Sequence, residues 1–434
     1  MSRLDWLVIA VHLLSVVGLG LWVSRHQKNV DDYYVGGRNL PWWAVAISAM
    51  ATQTSANSFI GIPAFVALAP GGGLTWLQYE LAVPLAMIVV MVLVVPFFRR
   101  LELISVYQYL EMRFDRLTRK SVSAMFLVSR GLAAGVQVYA SGVVLSVCLE
   151  VPVWACILVM GVATTLYDSI GGMTAVVYAD VMQMFILLAG ILLCIVVAFH
   201  QVGSFADIIA AHEPARLSAI EWGLGLGDGS KTPFWGFVLG GFVLYVSYYG
   251  VDQSQAQRML SAPSVDESKR ALMFNGLFRF PLTLLYIFMG LAVGAVYAQS
   301  QELQQAISAN RLDSLLPEYI RMFLPSGLRG ILFAAILAAA ISSLDSNLNS
   351  LSAATMRDFI ESKLRGASQG RKLWTSKGIT AFGGYPSPFL LSGLAIFQAR
   401  SWRASTNSEV FSMDLFWRLL LRALSIAEPL GRRC

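Results

Sequence analysis

Charge is scarce in this sequence. Of its 434 residues only 13% are Asp, Glu, Lys or Arg, against 56% hydrophobic, and the mean hydropathy is +0.62. A soluble domain carries about a quarter charged residues, so that class is excluded and the surplus apolar surface faces lipid. Cysteine and histidine are equally sparse. Cys148, Cys156, Cys194 and Cys434 have no metal or redox spacing. His12, His26, His200 and His212 are scattered, and His12 alone lies within an apolar run. With no nucleophile–base pair and no metal cluster in prospect, a membrane enzyme is excluded. "PGGGLTW" is glycine-rich but lacks the Lys-Ser/Thr of a phosphate loop, so it reads as a turn. Strict apolar–polar alternation is missing too, which leaves helices and not a barrel.

What is present is a series of apolar runs near or above the ~20 residues that cross a bilayer as a helix. They fall at about 6–23, 42–69, 78–98, 124–148, 152–166, 176–200, 234–250, 272–298 and 330–350. Basic residues gather after the first, third, seventh and ninth runs, about 17 against about 6 on the opposite side. That bias predicts a multi-pass protein of the cell (plasma or inner) membrane with its N-terminus outside. The pI of 9.1 then reflects cytoplasmic loops and not nucleic-acid binding. The first run is long for a signal sequence and no small-residue cleavage pattern precedes the basic loop, so a retained helix is expected.

Polar side chains at membrane depth are costly and mark function. In "ISAMATQTSANSFIGIPAFV" (47–66), Thr52, Gln53, Thr54, Ser55, Asn57 and Ser58 interrupt a span, followed by Gly61 and Pro63. Short polar side chains compete for backbone groups. An unwound segment lining a cavity could hold a cation with its freed carbonyls; the alternative is a kinked packing helix. In "AAILAAAISSLDSNLNSLSAATMRDF" (334–359), Ala339, Ser342, Ser343 and Ser346 share one face. Hard cations take such oxygens, although serines also bond their own i−4 carbonyls. Asp180, about five residues into a predicted span, is either a cation ligand or a helix-start residue reaching the surface. Arg130, ~13 Å deep if its helix starts near Ser121, is either a fork for a carboxylate or a structural partner of Asp180, Asp345 or a carbonyl. Tyr245, Tyr248 and Tyr249 precede Asp252, Gln253 and Arg258, as a lid over a solute or as an interfacial belt.

Several stretches together resemble the sodium/solute symporter family, relatives of bacterial proline, galactose and sialic acid symporters. They are "YYVGGRNLPWW", "SAMATQTSANSFIG", "YADVMQ", "GVDQSQAQRML" and "GILFAAILAAAISSLDSNLNS", and the similarity runs from about residue 6 to 382. The resemblance implies a LeuT-like fold: two inverted five-helix repeats after one extra helix. It divides the chain into a transmembrane domain at 1–382 (extra helix 6–23, first repeat about 42–200, partial second repeat about 234–382) and a tail at 383–434. It implies a coupling Na+ held by Ala51, Thr54, Ala339, Ser342 and Ser343. It implies a second sodium at Asp180 with hydroxyls such as Ser346, where Asp345 stands in place of a further hydroxyl. Solute-facing positions would be Gln53, Ser55, Ser58, Gln78, Arg130 and Tyr245, with Tyr248 as an aromatic gate. The implied activity is sodium-driven symport of a small solute, with Arg130 pointing to a carboxylate-bearing anion such as a sialic acid or a monocarboxylate. A sodium-dependent sensor, or a uniporter or channel on the same scaffold, stands as the alternative.

After "SKGITAF" the resemblance stops. Restoring one base lets Phe382-Gly383-Gly384 read Phe-Trp-Gly, and lets Trp402 to Leu415 read Glu-Ser-Ile-Asn-Lys-Leu-Gly-Ser-Leu-Phe-Tyr-Gly-Pro. Both readings look like the family's last two core helices. The sequence therefore predicts that 383–434 are out of frame through a single-base deletion near codon 383, leaving the second repeat incomplete and the product as written inactive.

Overall fold

The computed structural model describes residues 1–383, apart from 26, 102, 228, 230 and 308–310. The expected out-of-frame tail lies outside the described residues from 384 onward. Among the described residues every regular element is helical, and six helices are long and apolar enough to cross a membrane. In chain order the elements used below are α1 (Arg3–Ser24), α2 (Val30–Val35), α3 (Trp42–Gln53), α4 (Ala56–Ala67), α5 (Leu74–Arg100), α6 (Arg116–Leu149) and α7 (Val153–Val202). They continue with α8 (Phe234–Gly250), α9 (Gln253–Ser261), α10 (Val265–Gln299), α11 (Leu315–Phe323), α12 (Leu328–Leu364) and α13 (Gln369–Gly383).

Two spans are broken. The 42–69 run divides into α3 and α4, while the 234–250 run is intact as α8 and continues past its expected end into α9, a pair bent by 56° that passes as one span. Capping chemistry explains both breaks. Ser55 is extended and its hydroxyl accepts from the Ser58 amide, starting α4. Asp252 accepts from the Ser254 amide, starting α9. Each side chain satisfies an amide that a helix N-terminus leaves free.

The runs at 152–166 and 176–200, expected as two spans, are the two helical arms of α7 (Val153–Val202), which meet at a sharp break at Gly172 (φ 55°, ψ −154°). Residues with a Cβ avoid that conformation, and a Cβ there would also strike the Tyr33 carbonyl. Glycine thus turns the chain between one arm and the next. Asp180 lies about two turns into the second arm and is fully buried, so it does not reach the surface from a helix start.

The centre of the fold is α12. Every residue from Leu332 to Ala354 is buried. An all-round buried helix is usually apolar, but this one carries Ser342, Ser343, Asp345, Ser346, Asn347 and Asn349. Its neighbours are α7, α6, α1 and the α3/α4 break. The extra helix α1 closes on α7 at Gly20, where an added Cβ would lie 2.9 Å from Tyr167 Cβ. At its start, Asp5 accepts from the Gly327 and Gly330 amides at 2.8 and 3.0 Å, capping α12.

Candidate functional site

The α3/α4 break faces the polar half of α12. Thr54 (φ −92°, ψ 91°) leaves the helix, so the last carbonyls of α3 lose their intrahelical partners. Local groups take up some of them. The Thr54 hydroxyl donates to the Met50 carbonyl at 3.0 Å and the Thr54 amide to Ala51 at 2.9 Å. Ser343 joins the two elements: its hydroxyl lies 3.3 Å from both the Thr52 and the Ala339 carbonyls. Beside this junction is a small gap lined by Ala51, Thr54, Ala339 and Ser342, and closed from α7 by Gln183, Met184 and Leu187. The oxygens here are carbonyl, hydroxyl and amide. That is the hard donor set a small monovalent cation takes, and it stands at the negative end of the α3 dipole.

A second layer lies one turn away. Asp180 accepts from Ser342 through one oxygen, and from Ser48 (2.5 Å) and Arg258 (3.2 Å) through the other. Arg258 also donates to Ser48 (2.8 Å), to the Ser254 carbonyl (2.6 Å) and to Ser346. Asp345 accepts from Tyr167 and from Ser346 (3.0 Å), while Asp168 accepts from Asn349 at 2.9 Å. All three carboxylates are fully buried and within electrostatic reach of one another, and Arg258 is the guanidinium they share. Three buried carboxyl groups thus share one guanidinium at membrane depth, a costly arrangement of the kind that marks function.

The structure brings Asp180, Ser342, Ser346 and Asp345 together, with an unforeseen occupant. Arg258, counted from sequence among the cytoplasmic loop charges, is 1% exposed and holds both Asp180 and Ser346. A second sodium on that set would compete with the guanidinium.

The solute-facing candidates divide. Gln53 accepts from Tyr249, Ser55 and Ser58 lie at the α4 N-terminus, and Tyr245 packs between Tyr79 and Tyr249. Gln78 is not presented to the break. Its amide donates to the Thr75 and Thr232 carbonyls (3.1 and 2.9 Å) and accepts from the Glu221 amide (2.9 Å). Two of these three bonds pin the 221–232 loop. Arg130 pairs with neither Asp180 nor Asp345. It lies 3.5 Å from Asp252, donates to Ser254 (3.0 Å) and sits 5.8 Å over the Tyr248 ring. It therefore reads the α8/α9 bend.

Sequence reasoning missed Arg258, Asp168, Gln183 and the buried pair Arg279–Glu80 (3.1 Å). Arg279 and Glu80 each sit inside an apolar run that had been marked as a span, so the intramembrane-charge rule could have found both. Near them the Tyr286 hydroxyl has no hydrogen-bond partner among the described residues.

Comparison with known proteins shows the family and the fold. The profile of the sodium:solute symporter family matches residues 33–382. The human sodium/iodide cotransporter is 31% identical over 382 residues, 87% of this chain and 58% of that protein. The sodium/sialic acid symporter NanT of Aliivibrio fischeri is 28% identical over 88% of this chain and 75% of its own length. Human sodium-coupled monocarboxylate transporter 1 is 28% identical over 87% and 62%. The chain thus spans about three fifths of these human relatives. A solved substrate-bound, outward-open Na+-coupled sialic acid symporter superposes with a TM-score of 0.81 at 25% identity, over 91% of this chain and 83% of that one. The fold is LeuT-like, with α1 as the extra helix and the broken pairs α3/α4 and α8/α9 opening the two repeats. This chain belongs to the sodium:solute symporter family.

Proposed function

We propose that this chain carries out sodium-coupled symport of a small organic anion across a cell membrane. The carrying observation is the junction of the α3 C-terminus with α12, where Ser343 contacts the Thr52 and Ala339 carbonyls and Ala51, Thr54, Ala339 and Ser342 line one gap. Sodium held there by Ala51, Thr54, Ala339, Ser342 and Ser343 would tie the broken helix to α12. That favours whichever arrangement has the two in contact, and a solute preferring the same arrangement is thereby coupled to the ion. The membrane potential adds ~2.3 kcal/mol per charge per 100 mV. The single cage is the reading the geometry favours, because Arg258 stands where a second ion at Asp180, Ser346 and Asp345 would sit.

An anionic solute fits the other end of the break. The α4 N-terminus, with Ser55 and Ser58, is the positive end of its helix dipole, and Gln53 and Tyr245 flank it. A solute carboxylate would draw Arg130 away from Asp252, with Tyr248 closing as the gate. The three relatives described above are named for iodide, sialic acid and monocarboxylates, all anions. The N-terminus is placed outside by the basic loops, since withdrawing Arg258 into the interior leaves about 16 against about 6. We also infer that 383–434 are out of frame; the family match ends at residue 382, beside the inferred lesion. Uptake of radiolabelled carboxylates by vesicles bearing the frame-restored chain, with and without a sodium gradient, tests the reading. Gradient-dependent accumulation supports it. Uptake that merely equilibrates marks a uniporter, and saturable binding without uptake marks a sensor.

A further inference from the structure

Gln183 is the one lining residue of the gap whose chemistry the cage leaves unused. It is 1% exposed, and neither its amide oxygen nor its amide nitrogen has a hydrogen-bond partner. It follows Asp180 by three residues, so the two share a face of α7. It opens onto the same gap as Ala51, Thr54, Ala339 and Ser342. Its other neighbours there, Met184, Leu187 and Ala338, are apolar. An amide left unsatisfied among such residues is costly, and a leucine would fill the space without that cost. No Lys, Arg or His lines the gap, and no group among the described residues answers the amide oxygen.

We propose that Gln183 is a sodium ligand, contributing its amide oxygen as a sixth donor beside the carbonyls and hydroxyls of the cage. The inference rests on the symport reading and extends its cage to a third element. The ion would then join α7 as well as α3 and α12. The other five donors are already committed elsewhere in part: Ala51 accepts from the Thr54 amide, the Thr54 hydroxyl donates to Met50, Ala339 accepts from Ser343, Ser343 also contacts the Thr52 carbonyl, and Ser342 donates to Asp180. The Gln183 oxygen is wholly free, and a neutral amide oxygen is a donor type that hard cations accept in coordination shells of about six.

Equilibrium radiosodium binding to the purified full chain in detergent, without any solute, tests this. Gln183→Met keeps the shape and removes the oxygen, and it should weaken sodium binding about tenfold. Gln183→Asn withdraws the oxygen by one methylene and should weaken it as well. Gln183→Glu restores an oxygen at the same reach and should bind at least as tightly as the original chain, a rescue that a packing role would not give. Ser343→Ala is the reference. If it weakens binding while both Gln183→Met and Gln183→Asn bind as the original, Gln183 is not a ligand and the cage stands without it. If the unaltered chain binds no sodium saturably, the cage and this extension fall together.

Discussion

Arg258 offers the sharpest test of how the interior is held. Its guanidinium makes four contacts, to Asp180, Ser48, Ser346 and the Ser254 carbonyl, while being 1% exposed. Arg258→Met keeps most of the volume and removes every donor. Asp180 is then left as a buried charge with only the Ser48 and Ser342 hydroxyls, beside Asp168 and Asp345. Breaking a buried pair from one side costs about 3–5 kcal/mol. That is a large share of the roughly 5–15 kcal/mol that holds a typical domain folded. Asp180→Asn alone strands the guanidinium and should cost a similar amount. Combining them removes both charges, so the double variant should be more stable than the sum of the single losses by at least about 2 kcal/mol. The assay is reversible denaturant unfolding in mixed micelles followed by tryptophan fluorescence. Strictly additive losses, or an Arg258→Met chain within about 1 kcal/mol of the original, would refute the claim that this ion pair holds the interior together.

Replacing Ser342 and Ser343 together by Ala should raise the sodium concentration needed for half-maximal uptake at least about tenfold, the equivalent of 1.4 kcal/mol; vesicle uptake against sodium titration measures it. Arg130→Ala should abolish binding of carboxylate-bearing solutes while leaving sodium binding intact, as read by calorimetry with each in turn. Gly172→Ala places a Cβ at φ 55° against the Tyr33 carbonyl and should destabilise the chain by about 1–3 kcal/mol, measured by the same unfolding assay. His212, in the loop after α7, bonds the Leu291 carbonyl at 2.8 Å, and burial holds its imidazole below the ordinary value. The unfolded chain therefore binds that proton first. This contribution is complete above about pH 6.5 and is lost as the pH falls below it. Unfolding of His212→Gln across that range should lack the slope.

The sequence carried the spans well because lipid demands continuous apolar runs, and it carried the break at Thr52–Ser58 because six polar residues in seven cannot face lipid. The residues proposed for the cage were picked out by spacing on α12 and by family resemblance, and the fold brings them to one gap. What stayed hidden was pairing. Arg258 looked like a loop charge because Asp252 and Gln253 before it read as the end of a span, whereas Asp252 caps a second helix that turns back inside. Gln78 looked like a solute contact because a buried glutamine in a span has the right chemistry, and only the fold puts the 221–232 loop against it. The break at Gly172 falls in the gap between the 152–166 and 176–200 runs, but its sharpness depends on a glycine conformation that hydropathy does not report.

The Asp5 carboxylate that seals the first turn of α12 gives the chain's opening residues an unexpected weight. The segment that reads as an appendage to the repeats fastens the very rod on which Ser342 and Ser343 ride. Affinity tags spliced inside the first five positions, or engineered starts downstream of them, should therefore loosen the central helix rather than trim a dispensable end.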